Sequence, residues 1–289
     1  MTPRKRYSIP LPGRVPLDLG GCTLIMGIIN VTPDSFADGG RRFDPERAVA
    51  DGLQMIADDA HILDVGGEST RPGADPVPAD EELRRVLPVV EALGKDGRVP
   101  VSIDTYKAVV AREAIARGAT IVNDVSALQY DGGLAPTVAA AGAAIVLMHN
   151  RGRPRDMYRE AVYDDVAGEI GRELEAAIGR AMAAGISRDR IIVDPGLGFA
   201  KRAEHTWESL AGLDRLAALD RPILVGPSRK SFLLSATGER QPSDRDWGTA
   251  AAITASVLGG AHIVRVHGVR EMADVVRVAD RLRAAGIRH

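Results

Sequence analysis

Eight short apolar runs, each followed by a stretch of helical period, set the strongest limit on what this chain can fold into. The runs are 22–30 (CTLIMGIIN), 61–67 (HILDVGG), 99–105 (VPVSIDT), 120–125 (TIVNDV), 143–149 (AAIVLMH), 190–196 (RIIVDPG), 222–228 (PILVGPS) and 262–268 (HIVRVHG). Each is aliphatic and β-branched and ends in Gly, Asp, Asn, Ser or His, as a strand buried on both faces reads. Between them the apolar period becomes helical: Val162, Val166, Ile170, Leu174, Ile178 and Met182 recur every four residues, as one stripe of a long helix. Met272, Val275, Val276, Ala279 and Leu282 do the same after the last run. Asp44-Pro45 places a capping side chain and a proline at one helix start. Strands that each return through a helix pair in parallel. Eight regular units, with no phosphate-binding glycine fingerprint after the first strand, favour an α/β fold of the closed (β/α)8 type, a TIM barrel, over an open doubly wound sheet. No linker or shift in composition divides the chain, so residues 1–289 read as one domain, with the proline-rich segment 1–21 capping the barrel floor.

The bulk properties narrow the function classes. With 37 basic and 39 acidic residues the net charge is −2, so no overall field favours nucleic acid or an anionic membrane. One cysteine, Cys22, makes no internal disulfide. The basic start lacks the apolar run of a secretion signal, and no stretch approaches the ~20 apolar residues of a membrane span, so a cytoplasmic protein is expected.

In a barrel the chemistry sits at the carboxyl ends of the strands, and here polar residues gather at those ends. Asn30 closes the first run, Asp104 the third, Asn123 the fourth and Asp194 the sixth, while Arg265 and His267, two apart in the last, face the same side. Buried charges on strands are costly unless paired or bound to a ligand. One such residue alone would be read as a structural hydrogen-bonding group; six at one level on five strands point to a site. Two Asp and one Asn among apolar neighbours suit a flat heterocycle carrying ring N–H and amino groups. Arg265 and His267 form a cationic wall for an oxyanion such as phosphate.

Three loops after strands support an anion: 30–40 (NVTPDSFADGG), 66–73 (GGESTRPG) and 226–231 (GPSRKS), with Arg71 and Lys230 adding charge. Gly-Ser turns end many strands, so each loop alone is a weak signal. Lys230 reads equally as a solvated helix-start lysine or a Schiff-base nucleophile. His149 reads as a strand-end hydrogen-bonding group at least as readily as a ligand, and His61 and His262, which begin strands at the floor, as structural. The spacing of a tight zinc site is absent, but a magnesium ion held chiefly by substrate phosphates would leave little trace.

Taken in order, MGIINVTPDSFADGG, DVGGESTRPG, SIDTYK, VNDVSAL, DPGLGFAK, SRKSF and RVHG resemble the signature of the dihydropteroate synthase family over residues 22–285. The resemblance implies a transferase that joins 6-hydroxymethyl-7,8-dihydropterin pyrophosphate to p-aminobenzoate, giving 7,8-dihydropteroate and pyrophosphate for folate biosynthesis. It further implies that Asp104, Asn123, Asp194 and Lys230 hold the pterin, that Thr70, Arg265 and His267 bind the pyrophosphate, and that Asn30 contacts a magnesium ion. Phe36, Arg71, Pro72, Lys230 and Ser231 match positions that shape the p-aminobenzoate pocket, which sulfonamides share. Asp38 matches a loop residue that helps hold the metal-bound pyrophosphate. A homodimer packed through the later helices is also implied. Gly268, Ala200 and Asn150-Arg151 depart from the family pattern. Other readings are a pterin-barrel methyltransferase, which has no use for the STRPG and NVTPDSF loops, an inactive pterin-binding paralogue, and an aldolase acting through Lys230.

Overall fold

A computed structural model describes residues 4–32, 44–71, 73–153, 155, 157–159 and 161–286. The chain opens with a two-stranded antiparallel hairpin, β1 (Tyr7–Ile9) and β2 (Leu17–Leu19). Eight parallel strands follow: β3 (Leu24–Asn30), β4 (Ile62–Gly66), β5 (Val101–Asp104), β6 (Ala119–Asp124), β7 (Ala144–Met148), β8 (Ile191–Asp194), β9 (Leu224–Val225) and β10 (Ile263–Val266). Each falls in a run expected from the sequence, to within a residue or so at its start. They pair in the order β8-β7-β6-β5-β4-β3-β10-β9, and a bridge between Val193 and Ile223 joins the two ends, closing the barrel.

The helices wrap the outside: α1 (Pro45–Ala57), α2 (Ala79–Asp96), α3 (Ala108–Ile115), α4 (Leu134–Ala141), α5 (Val166–Ala183), α6 (Ala203–Ala211), the one-turn α7 (Leu234–Thr237), α8 (Asp246–Leu258) and α9 (Val269–Gly286). Asp44 caps α1 by accepting from the backbone N–H of Arg47, and Pro45 follows, as the sequence implies. The expected four-residue stripe is only partly right. Asp165 caps α5, so Val162 precedes the helix and is 73% exposed, and Met182 at its far end is 45% exposed. Each step of four residues turns about 40° past a full revolution of the helix. A strict four-residue stripe therefore precesses off the core, and Ala177 and Ala181 take the buried places instead.

Alternation along the strands splits the core in two. One side of each strand packs against the helices in the larger apolar cluster. The other fills the barrel: Leu24, Met26, Ile62, Ile121, Val146, Ile192, Leu224 and Ile263 form an inner cluster that the hairpin closes from below with Ile9, Leu11 and Leu19. The amino-terminal segment thus caps the floor as expected. The two floor histidines serve the backbone. His61 Nδ1 accepts from the N–H of Ile25, and His262 Nδ1 accepts from that of Ile223 while its Nε2 meets the carbonyl of Lys5. Among the described residues no helix is long and apolar enough to cross a membrane.

Candidate active site

Strand register carries four neighbouring strands to one rung at the carboxyl end: Asn30 pairs with Gly66, Gly66 with Asp104, and Asp104 with Asn123. Paired residues of a parallel sheet face the same side, here the barrel interior above the apolar plug. Asp194 ends β8 beside Met148, and His267 lies just past β10. Arg265 starts lower, opposite Met26, and its long side chain rises into the polar layer.

These groups form one network. The Arg265 guanidinium donates through Nε to Asp64 Oδ2 at 2.6 Å and through Nη2 to Asp104 Oδ2 at 2.7 Å, and Asn123 Nδ2 donates to Asp64 Oδ2 at 2.9 Å. Asp194 Oδ1 accepts from the N–H of Gly196 at 2.7 Å. Lys230 donates to the carbonyl of Leu197 and lies over the Phe199 ring, 4.5 Å from its centroid. Asp104 Oδ1, Asn123 Oδ1 and Asp194 Oδ2 have no hydrogen-bond partner among the described residues. Three acceptors converge without donors, a pattern that a donor-rich heterocycle completes.

Burial sets the charge states. It pushes the Asp104 carboxyl up to about 7, against the opposing pull of Arg265 and with Asp64 adding repulsion. The Asp194 carboxyl is also raised by burial, with Lys230 opposing. Burial lowers Lys230 to about 8 despite Asp194 nearby. His267 departs from the expected cationic wall: burial, and then Arg265, hold its imidazole down to about 3. Ser228 Oγ accepts from the backbone N–H of His267 at 3.2 Å and lies 3.0 Å from His267 Nδ1. With Nδ1 engaged by Ser228, Nε2 is the ring nitrogen left for a ligand. Arg265 is thus the cation of this pair, and His267 a neutral imidazole beside it.

The loop after β4 brings the half-buried Thr70 and the exposed Arg71 to this mouth, and Arg71 lies close enough to disfavour a proton on His267. Ser231 is exposed at the start of a 3-10 turn after Lys230. Phe36, Asp38 and Pro72 lie outside the described residues.

Sequence reasoning missed Asp64, although Ile62, Asp64 and Gly66 alternate onto one face and mark it as inward. It also missed the support under the turn after β8. Lys201, 2% exposed, donates to the carbonyls of Gly196 and Phe199 and to His149 Nδ1, at 2.8–3.1 Å. Burial, then Lys201, depresses His149 to about 4, so the neutral ring donates from Nε2 to Glu173. Arg151, one of the departures from the family pattern, holds Glu173 and Glu169. Lys201 closes the DPGLGFAK run that Asp194 opens, whereas nothing local in the sequence ties Glu173 to the site.

Gly196 sits at φ +65°, and a Cβ there would fall 2.1 Å from the carbonyl oxygen of His149. Left-handed backbone costs a non-glycine residue about 1–2 kcal/mol before any clash. Gly196→Ala is therefore expected to lower Tm by about 5 °C or more in thermal unfolding; an unchanged Tm would show that the turn does not constrain this position.

A family model described as "Pterin binding enzyme" matches residues 26–267. The chain is 44% identical over 277 residues to the dihydropteroate synthase of Synechocystis sp., covering 96% of both chains. Among solved structures it is similar to the Xanthomonas albilineans dihydropteroate synthase with 4-aminobenzoic acid, with a TM-score of 0.89 and 42% identity over 98% of this chain and 100% of that one. The dihydropteroate synthase from the same organism in complex with 7,8-dihydropteroate gives a TM-score of 0.85 at 39% identity, over 97% and 100%.

Proposed function

This chain belongs to the dihydropteroate synthase family of pterin binding enzymes, and on that premise we propose that it joins 6-hydroxymethyl-7,8-dihydropterin pyrophosphate to p-aminobenzoate, releasing pyrophosphate and 7,8-dihydropteroate. The observation that carries the reading is the convergence of three unpartnered acceptors, on Asp104, Asn123 and Asp194, with Lys230 and Arg265 at one barrel mouth. A pterin presents an amino group and ring N–H groups on one edge and a flat face elsewhere. Asp194, Asn123 and Asp104 accept from that edge, and Lys230 lies against the ring.

In the reaction the bond between the exocyclic methylene carbon and the pyrophosphate oxygen breaks, and its electron pair leaves with the pyrophosphate. The electron-rich dihydropterin delocalises the positive charge left on the methylene. The arylamine nitrogen then forms the new C–N bond and gives up a proton to solvent. No strong base is needed. The protein positions the partners and stabilises the leaving group, with Arg265 offsetting charge and Thr70 and His267 donating hydrogen bonds. Asn30 ends β3 on the inward side with no side-chain hydrogen bond among the described residues. One neutral oxygen of this kind fits magnesium, which takes most of its ligands from phosphates. Bound there, the ion supplies further neutralisation of the pyrophosphate. By resemblance Asp38 assists it, while Phe36, Arg71, Pro72 and Ser231 build the p-aminobenzoate site.

The test is direct. Purified protein, given both substrates and magnesium, is expected to form dihydropteroate and pyrophosphate in equal amounts, with a sulfonamide competing against p-aminobenzoate. No product from folded protein overturns the reading. We extend it to a homodimer, supported by exposed Trp247, Val278 and Leu282 on α8 and α9; sedimentation as a monomer at micromolar concentration counts against it.

A pH dependence follows. Ionised Asp104 accepts from the pterin, so kcat/KM is expected to rise as pH passes about 7. Protonated Lys230 is lost above about 8, giving the alkaline limb. Lys230→Met should remove the alkaline limb and keep the acid one; a wild-type profile in this variant would assign the limb elsewhere.

A further inference from the structure

Asp64 belongs to no part of the substrate-binding set implied by the resemblance, yet it lies at the centre of the network. It is wholly buried, faces the barrel interior one rung below Asp104, and pairs in register with Ser102. Its Oδ2 accepts from both Asn123 Nδ2 and Arg265 Nε, while its Oδ1 and the neighbouring Ser102 Oγ have no partner among the described residues. A buried polar atom without a partner costs about 1–3 kcal/mol. A purely structural carboxylate would be expected to satisfy both oxygens.

The chemistry of the contact decides what Asn123 shows to a ligand. A side-chain amide can present either its carbonyl or its NH2 group, and the two orientations have nearly the same shape. A carboxylate held by a guanidinium only accepts, so it takes the NH2 group of Asn123 and leaves the carbonyl for the pocket. The same carboxylate fixes Nε of Arg265 and so aims Nη2 at Asp104.

We propose that Asp64 is a positioning residue for pterin recognition, which turns the Asn123 carbonyl toward the pterin donors and holds Arg265 beneath Asp104. Asp64 acts through these two side chains and need not touch the ligand. This rests on the pterin reading above.

The experiment is calorimetry with 6-hydroxymethylpterin, alongside thermal unfolding. Wild-type protein is expected to bind; if it does not, the pterin reading falls and the inference falls with it. Asp64→Asn keeps the shape but accepts either amide orientation. It is expected to bind the pterin at least tenfold more weakly with a Tm close to wild type. Adding Asp64→Asn to Asn123→Ala should cost less affinity than Asp64→Asn costs in the wild-type background, because the route through Asn123 is already lost and only the one through Arg265 remains. Wild-type affinity in Asp64→Asn, or fully additive losses in the double variant, would overturn the inference while leaving the pterin reading in place. Should Asp64→Asn fail to fold, the exchanged pair Asp64→Asn with Asn123→Asp answers the same question. In that pair the amide now at position 64 would donate to the carboxylate now at position 123 and accept from Arg265, leaving an acceptor toward the pocket. Affinity within threefold of wild type, against at least a tenfold loss in Asn123→Asp alone, supports the proposal; an exchanged pair as weak as the single variant counts against it.

Discussion

Asp194→Ala is expected to abolish pterin binding and leave the fold standing. The carboxylate lies 5% exposed at the end of β8, with Oδ1 on the Gly196 N–H and Oδ2 accepting from no donor among the described residues. Charge-assisted hydrogen bonds contribute about 1.5–3 kcal/mol each. Two of them to an amino-pyrimidine edge correspond to about 10²- to 10⁴-fold in affinity. Stability should move little, and its sign follows from burial. The carboxyl is raised above its ordinary value in the folded protein, so the fold loses stability as pH rises through that raised value. Burial disfavours the charged carboxyl, so removing it offsets part of the lost bond to Gly196. Calorimetry and thermal unfolding of one preparation check both halves. Wild-type pterin affinity in the variant would remove Asp194 from the pocket.

Arg265→Ala should differ from Asp194→Ala by costing stability as well as binding. Its guanidinium is the partner of Asp64, which is fully buried, and of Asp104, which is nearly so. Removing one member of such a set leaves uncompensated buried charge, at a cost of about 3–5 kcal/mol, which lowers Tm on the order of 10 °C. The loss should depend on pH. Asp104 is already pushed to about 7 with Arg265 opposing the rise, so without Arg265 it rises further. A raised carboxyl stabilises the fold below its pKa and ceases to as pH climbs through it. The deficit relative to wild type should therefore shrink on acidification from about pH 8 to about pH 6. A pterin without phosphates and pyrophosphate itself should both bind more weakly. If Tm and pterin affinity survived and only pyrophosphate binding fell, Arg265 would be an anion clamp alone. The two-residue spacing to His267 suggests that role, and the contacts to Asp64 and Asp104 add to it.

The contrast between these two residues shows what the sequence could and could not carry. Asp194, Asp104, Asn123 and Asn30 were legible because each ends an apolar run, and strand ends in a closed barrel share one mouth. His61 and His262 were legible as floor residues for the same reason. Asp64 went unnoticed in the middle of its run, although alternation with Ile62 and Gly66 places it inward. Lys201 ends the DPGLGFAK motif with no role legible there, and Glu173 reaches the site from a helix with no local mark.

By itself, then, the sequence determined the eight strand–helix units, their order, and which strand ends carry polar side chains. These rest on period and on residue types at run ends, both of which act over a few neighbouring residues. Tertiary structure alone decided where the α5 stripe leaves the core, that burial disfavours a charge on His267, and that Arg265 spans Asp64 and Asp104. Those outcomes depend on burial and on partners far apart in the chain: Arg265 and Asp64 meet across 201 residues. Charge state and pairing follow from distance in space, and only the closed barrel sets those distances.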